Sequence, residues 1–217
     1  MDRLWYVAYG SNLASARFTC YLVGGRPLDG LRSYPGCRDA TEPTANRAVL
    51  IQGAISFTGV SSVWGGGSAV YDPRPSSQVA GRAYLLTTGQ LSDIAAQEMH
   101  RLPDADLELG QLLTARSHRV GPGRYETLLH VGTLDGRPMV TITATSPSEG
   151  TLNAPSAAYL RVIADGLRET HGWGARRIGT YLAAAPGARG SWTADAIAAL
   201  LEPDDFDRQS DPANRGG

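Results

Sequence analysis

The chain has 217 residues, of which 42% are hydrophobic and 19% charged, with a formal net charge of −1. That length suits one domain with a substantial core, and near-neutral charge leaves out the basic face of a general nucleic-acid binder. No apolar run reaches the length of a membrane span, and Asp2 and Arg3 open the chain in place of a basic-then-apolar signal, so the cytoplasm is the default location and no membrane partner is expected.

All 20 basic residues are arginine. Schiff-base chemistry and a phosphate-loop lysine are therefore excluded. Cys20 and Cys37 are too few for a disulfide framework or a zinc site, and His100, His118, His130 and His171 share no ligand spacing, so no metal site is expected.

In chain order, Leu4 to Ala8 reads as a strand, and Leu13 to Val23 as a helix with Leu13, Ala16, Arg17 and Cys20 on one side, stopped by Gly24 and Gly25. Between them, Tyr9-Gly10-Ser11-Asn12-Leu13 reads as a strand-to-helix junction with Asn12 as N-cap. Amides there lack intrahelical partners and the helix dipole adds positive charge, which suits an anion, although an ordinary turn holding water is the simpler account on the residues alone.

Residues 26–46 are proline- and glycine-punctuated and read as loop with at most one short strand. Ala48 to Phe57 reads as a strand broken at Gly53, Trp64-Gly65-Gly66-Gly67 as a connector, and Ser68 to Tyr71 and Val79 to Leu86 as strands. Thr87-Thr88-Gly89-Gln90 has the form of a capping box, so a helix should follow over residues 91–101.

On that helix the apolar face runs Leu91, Ile94, Ala95, Glu98 and Leu102, which places a carboxylate at a core-facing position. Burial there would raise its pKa toward the range useful for acid-base work. Rotation to the surface, or pairing with Arg101 or Arg119, is the simpler account on the residues alone.

Further on, Gln111 to His118, Tyr125 to Leu134 and Pro138 to Thr145 read as strands, the last two joined by a hairpin at Asp135-Gly136. After a polar loop, a long helix begins near Ser156 with Tyr159, Val162, Ile163, Gly166, Leu167 and Thr170 on one stripe. Arg176 to Ala185 and Thr193 to Leu201 read as two more helices. Strands first and helices last argue for an α+β fold with a mixed or antiparallel sheet over residues 1–202, and residues 203–217 read as a polar, flexible tail.

Taken together, Tyr9-Gly10-Ser11-Asn12-Leu13 with Arg17, Trp64-Gly65-Gly66, Val79-Ala80-Gly81, Leu91 to Glu98 and Pro155 to Tyr159 resemble the γ-glutamylcyclotransferase-like family in order and spacing. The resemblance reverses the two simpler accounts above. It implies a small β-barrel with flanking helices and an acyltransferase or lyase that cleaves a γ-glutamyl amide, releasing 5-oxoproline and an amine or peptide without cofactor. Glu98 matches the catalytic glutamate, the Tyr9 to Leu13 loop the substrate-binding loop, and Tyr159 a tyrosine near the pocket.

After Glu98 the chain departs from the family pattern: Met99-His100-Arg101-Leu102-Pro103 stand where members carry a glycine and then a tyrosine. Arg38, Arg47, Arg119 and Arg124 are candidates for reading a substrate carboxylate, though plain surface arginines are the simpler account of each. An amide hydrolase or acyltransferase using the same pocket, and a small-molecule binding module without turnover, stay open beside the cyclotransferase reading. So does the choice between monomer and homodimer.

Overall fold

The computed structural model describes residues 3–201; the expected tail lies outside them. Leu4 to Ala8 are all buried, and this strand, β1 (Arg3–Ala8), is paired along both edges. It runs antiparallel to β5 (Gln78–Thr87), with Tyr6 opposite Tyr84, and parallel to β8 (Arg137–Thr143). A continuous apolar run is what a strand buried on both faces needs.

Around it lies a six-stranded mixed sheet in the order β2-β5-β1-β8-β7-β6, completed by β2 (Asn46–Gln52), β6 (Ser117–Arg119) and β7 (Thr127–Leu134). The expected break at Gly53 is larger than an interruption: β2 ends there, and β3 (Ala54–Thr58) pairs with β4 (Ser68–Asp72) in a separate two-stranded sheet. Gly53 has φ +142, and a Cβ on it would lie 2.5 Å from the Asp72 carbonyl oxygen, so a side chain has no room at this switch between sheets. Among the described residues no ladder joins β2 to β6, so the pairings form two sheets and not the closed barrel expected from the resemblance.

Between β1 and the first helix, α1 (Ser15–Val23), stands a 3-10 turn over Ser11–Leu13. Arg17, Phe18, Tyr21 and Leu22 form the buried face of α1; the expected face was rotated from this, and Ala16 is exposed. The Phe18 ring stacks on Tyr84 with centroids 3.9 Å apart, which sets the rotation.

The capping box forms as expected, with Gln90 N–H donating to Thr87 Oγ1 and Thr87 N–H to Gln90 Oε1, each at 3.1 Å. Helix α2 (Thr88–Glu98) therefore starts beside the Arg3 end of β1 and runs back about 16 Å along the sheet. Its last residue, Glu98, arrives at the turn that follows β1. The chain then reverses at His100, φ +61, leaving Leu102 75% exposed and off the expected core stripe.

Gln111 to Ala115 belong to a helix, α3 (Gly110–Ala115), and of the expected strand only Ser117 and His118 are extended, within β6. Leu112 is fully buried and Leu113 exposed, the one-sided pattern of a short helix that an apolar run cannot announce by periodicity alone. Both residues of the Asp135-Gly136 turn have positive φ, as a tight hairpin between β7 and β8 requires.

Helix α4 (Ala157–His171) is capped by Ser156 and buries Tyr159, Leu160, Ile163, Ala164, Gly166 and Leu167, with Val162 and Thr170 at the margins of the stripe. The two remaining helices are α5 (Ala175–Ala183) and α6 (Ala194–Ala199). A Cβ on Gly166 would lie 2.4 Å from Leu13 and from the Ala14 amide, so α4 rides directly on the turn after β1. One turn further, Glu169 Oε2 accepts from the Ser15 amide at 3.0 Å, the Ser15 hydroxyl at 2.8 Å and Arg82 Nη1 at 2.9 Å. A carboxylate from another helix thus serves the start of α1, and Asn12, expected there as N-cap, is released for other work.

Gly166→Ala is expected to destabilise the fold by about 1–3 kcal/mol through overpacking against Leu13 and Ala14. Gly110→Ala, where an added Cβ meets nothing within 4 Å, should be neutral or slightly stabilising. Urea unfolding of the two variants beside the wild type measures the contrast.

Candidate active site

Three segments far apart in sequence meet at one cavity of about 300 Å³. The turn after β1 supplies Tyr9, Gly10, Ser11 and Asn12. The end of α2 supplies Gln97 and Glu98, the start of α4 supplies Tyr159, and Trp64, Arg124 and Tyr125 add to the wall.

Glu98 is only partly exposed, and through this cavity. Its Oε1 accepts a hydrogen bond from Asn12 Nδ2 at 3.2 Å, and the same Nδ2 lies 3.1 Å from the Tyr6 hydroxyl. Burial holds the Glu98 carboxyl above the usual carboxylate range, while the Arg17 charge and the Tyr21 and Asn12 side chains pull it down without reversing the shift. As the last residue of α2 it also stands at the negative end of the helix dipole, which disfavours ionisation further.

The loop amides are free as expected. Leu13 N–H donates to Gly10 O at 3.0 Å and Ala14 N–H to Ser11 O at 3.1 Å, but the N–H groups of Gly10, Ser11 and Asn12 have no partner among the described residues. Gly10 and Ser11 are partly exposed to the cavity. The donors belong to a 3-10 turn closed by Gly10, not to the first turn of α1.

Of the other expected residues, Tyr9 lines the cavity with its ring but its hydroxyl donates to Ile142 O at 2.9 Å, so its polar end is already used. Leu13 is fully buried and forms no part of the cavity wall; its side chain packs where Gly166 comes closest. The Tyr159 hydroxyl accepts from the Ala69 amide at 3.2 Å, and its own proton has no acceptor among the described residues. Trp64 is 8% exposed and stacks on the Tyr159 ring at 6.0 Å. Its loop is pinned, with Gly67 N–H on Ala154 O at 2.8 Å and Ser61 Oγ accepting from Trp64 N at 3.0 Å, so it is a wall of the cavity and not a flexible connector.

Among the four surface-arginine candidates only Arg124 reaches the cavity. It donates to the carbonyls of Thr58 and Val60. Arg38 is tied to Asp93 and Asp106, and Arg47 to Asn46 O. Arg119 lines a different cavity with Arg74 and Glu149.

Residue patterns alone passed over Tyr6, Tyr21, Tyr34 and Tyr125 as cavity residues, and gave Arg17 no role beyond its place in the motif. For Arg17 the readable signal was a charged residue four positions before Tyr21 and beside Phe18 on an aromatic helix face. Among the described residues no three His, Cys, Asp or Glu side chains cluster into a metal-ligand set, and no helix is long and apolar enough to cross a membrane.

No protein-family model matches the chain. Among solved structures it resembles a γ-glutamyl cyclotransferase and an uncharacterized protein from Homo sapiens, each with a TM-score of 0.52, 17% identity, and coverage of 92% of this chain and 98% of the other. The chain therefore has the γ-glutamylcyclotransferase-like fold. A curated relative, histone deacetylase 5 of Arabidopsis thaliana, is 28% identical over 190 residues, a match covering 76% of this chain. The match takes in 28% of that protein's length.

Because the folded pKa of Glu98 lies above its unfolded value, the native state binds the extra proton. Stability from this group is full below the unfolded carboxyl pKa of about 4.3 and declines as pH rises through the folded pKa. Glu98→Gln removes that loss, so the melting temperature of the variant relative to wild type should rise from pH 4 to pH 8, as read by differential scanning fluorimetry across the range.

Proposed function

We propose that the protein cleaves γ-glutamyl amides by intramolecular cyclisation, releasing 5-oxoproline and a free amine or peptide. The observation that carries this reading is the Glu98 carboxyl, with its raised pKa, in one cavity with the unpartnered amides of Gly10, Ser11 and Asn12. The γ-glutamylcyclotransferase-like fold supports it.

The α-amine of a γ-glutamyl group is mostly protonated at neutral pH and cannot attack. Glu98 as carboxylate removes one proton, the freed nitrogen forms a bond to the γ-carbonyl carbon, and the developing oxyanion is met by the loop amides. Collapse of that intermediate breaks the bond to the leaving nitrogen, which takes the proton held by Glu98, and the second proton of the attacking nitrogen then passes through the same carboxylate to the released amine. The carboxylate is thus restored. A carboxyl with raised pKa suits both halves of the cycle, since it is a stronger base than an ordinary carboxylate when ionised and holds its proton more readily until the leaving nitrogen needs it.

Attack within one molecule makes positioning the main task of the site. Tyr159, with an uncommitted hydroxyl proton, hydrogen-bonds the substrate, and Trp64 stacked behind it keeps that hydroxyl in place. The reading is of an acyltransferase or lyase acting on a small molecule, without cofactor.

Incubation with γ-glutamyl dipeptides and γ-glutamyl amines, followed by mass spectrometry, is expected to yield 5-oxoproline. Glu98→Gln should lower the rate by about 10²- to 10⁴-fold, the range for losing a general acid-base, while Ser11→Ala should cost far less because its backbone amide is retained. Free glutamate in place of 5-oxoproline would sink the cyclisation reading in favour of amide hydrolysis.

Asn12→Ala removes a donor that favours the ionised form of Glu98. The acid limb of the kcat/KM profile should move to higher pH, measured against the wild-type profile on one substrate. An unmoved limb would detach the Asn12 contact from the titration of the base.

A further inference from the structure

Of the two arginines that line the cavity, Arg17 has neither an anion nor a carbonyl acceptor among the described residues. Arg17 is 4% exposed, and its guanidinium lies 4.3 Å from the Tyr34 ring centroid and 4.5 Å from that of Tyr21. Nε and Nη1 are buried without a hydrogen-bond partner, and among the described residues no carboxylate lies within ion-pair distance of it. Elsewhere the half-buried Arg82 meets Glu169 at 2.9 Å, and the exposed Arg38 meets the buried Asp93 at 2.8 Å.

A buried cation without an anion is costly, and stacking on two tyrosine rings returns only part of that cost. The rings have a further effect. They clamp a planar donor fork in one orientation, so little freedom is lost when a ligand carboxylate binds it. Arg124, the other arginine at the cavity, has both terminal nitrogens committed to the Thr58 and Val60 carbonyls.

We propose that Arg17 is the carboxylate anchor of the cavity and selects ligands that carry a carboxylate. This rests on the cyclotransferase reading and deepens it. With the reacting amine at Glu98 and the carbonyl oxygen at the loop amides, the anion delivered to Arg17 is either the α-carboxylate of the γ-glutamyl group or a terminal carboxylate on the leaving peptide. In both cases it supplies the partner that the fold withholds from Arg17, and a neutral analogue leaves the cation as it is in the empty site.

The test is binding and kinetics side by side. By isothermal calorimetry, 5-oxoproline and its neutral amide are titrated into wild type, Arg17→Met and Arg17→Lys. In parallel, KM and kcat are measured for γ-glutamylglycine, γ-glutamylglycinamide and γ-glutamylethylamide.

If the α-carboxylate is the anion, wild type prefers 5-oxoproline to its amide on the order of 10- to 100-fold, as charge-assisted hydrogen bonds give. Arg17→Met then abolishes the preference and raises KM for all three substrates, and Arg17→Lys restores part of it. If the leaving-group carboxylate is the anion, acid and amide bind alike, but wild type prefers γ-glutamylglycine to its amide and only that preference is lost in Arg17→Met. In either case Arg17→Met, which removes a charge that holds the Glu98 carboxyl down, moves the acid limb of the kcat profile to higher pH, and Arg17→Lys leaves it in place.

Absence of both preferences in wild type overturns the proposal without any variant having to fold. Equal losses for charged and neutral ligands in Arg17→Met overturn it in favour of packing, and a moved kcat profile with unchanged KM overturns it in favour of action through Glu98. An acid preference without any turnover overturns the cyclotransferase reading while Arg17 stands, and turnover without a preference does the reverse.

Discussion

The site depends on β1 being hydrogen-bonded along both edges. Because β5 and β8 hold the strand in register, with Tyr6 between Tyr84 and Val140, the point at which the chain leaves the sheet is set to within a residue. The turn carrying Gly10, Ser11 and Asn12 projects from that point. The antiparallel partner β5 begins α2 at the opposite end of β1, and a helix of this length running back along the sheet delivers Glu98 to the turn. A shift of one residue in the β1 register would exchange the faces of Tyr6 and Val7 and carry the turn away from Glu98.

Around this frame the stabilising and the functional demands are divided between different groups. Glu169, Arg82 and Ser15 form a satisfied network that anchors α1 and α4, and Gln97 ties the end of α2 to the Tyr21 carbonyl and the Gly36 amide. One residue on, Glu98 has the Asn12 and Tyr21 side chains beside it but, among the described residues, no cation in ion-pair contact, and in the same cavity Arg17 has rings but no anion. The two opposite charges face the same space without forming an ion pair. Had they paired, the Glu98 carboxyl would be held low and the guanidinium would be occupied, so the fold forgoes that stabilisation and keeps both groups available.

The cavity is lined by several tyrosines, and some of the hydroxyls in and around its wall are spent inside the protein. Tyr9 donates to Ile142, Tyr125 to Ala69 and Tyr84 to Asn12, which fixes the rings without offering polar groups to a ligand. Tyr159 is the exception among these four. The same aromatic packing carries α1 into its observed rotation, since Phe18 must lie on Tyr84, and that rotation turns Arg17 inward.

Local signals were legible where the physics is local. The Thr87-Gln90 capping box, the Asp135-Gly136 hairpin and the apolar β1 run each depend on residues adjacent in sequence, and each forms as read. The rotation of α1, the helix at Gln111 to Ala115, the transfer of the chain between sheets at Gly53 and the burial of Leu13 were not legible. In each of these a distant partner decides: Tyr84 under Phe18, a pocket for Leu112, the close passage of Asp72, and Gly166 pressed on the turn. By itself the sequence determined which residues could do chemistry, because a desolvated carboxyl, a set of spare amides and an always-charged guanidinium are properties of residue type and local pattern. Only the tertiary structure decided that they share one cavity, because residues 86 apart meet only when a helix packs back along the strand that the turn leaves.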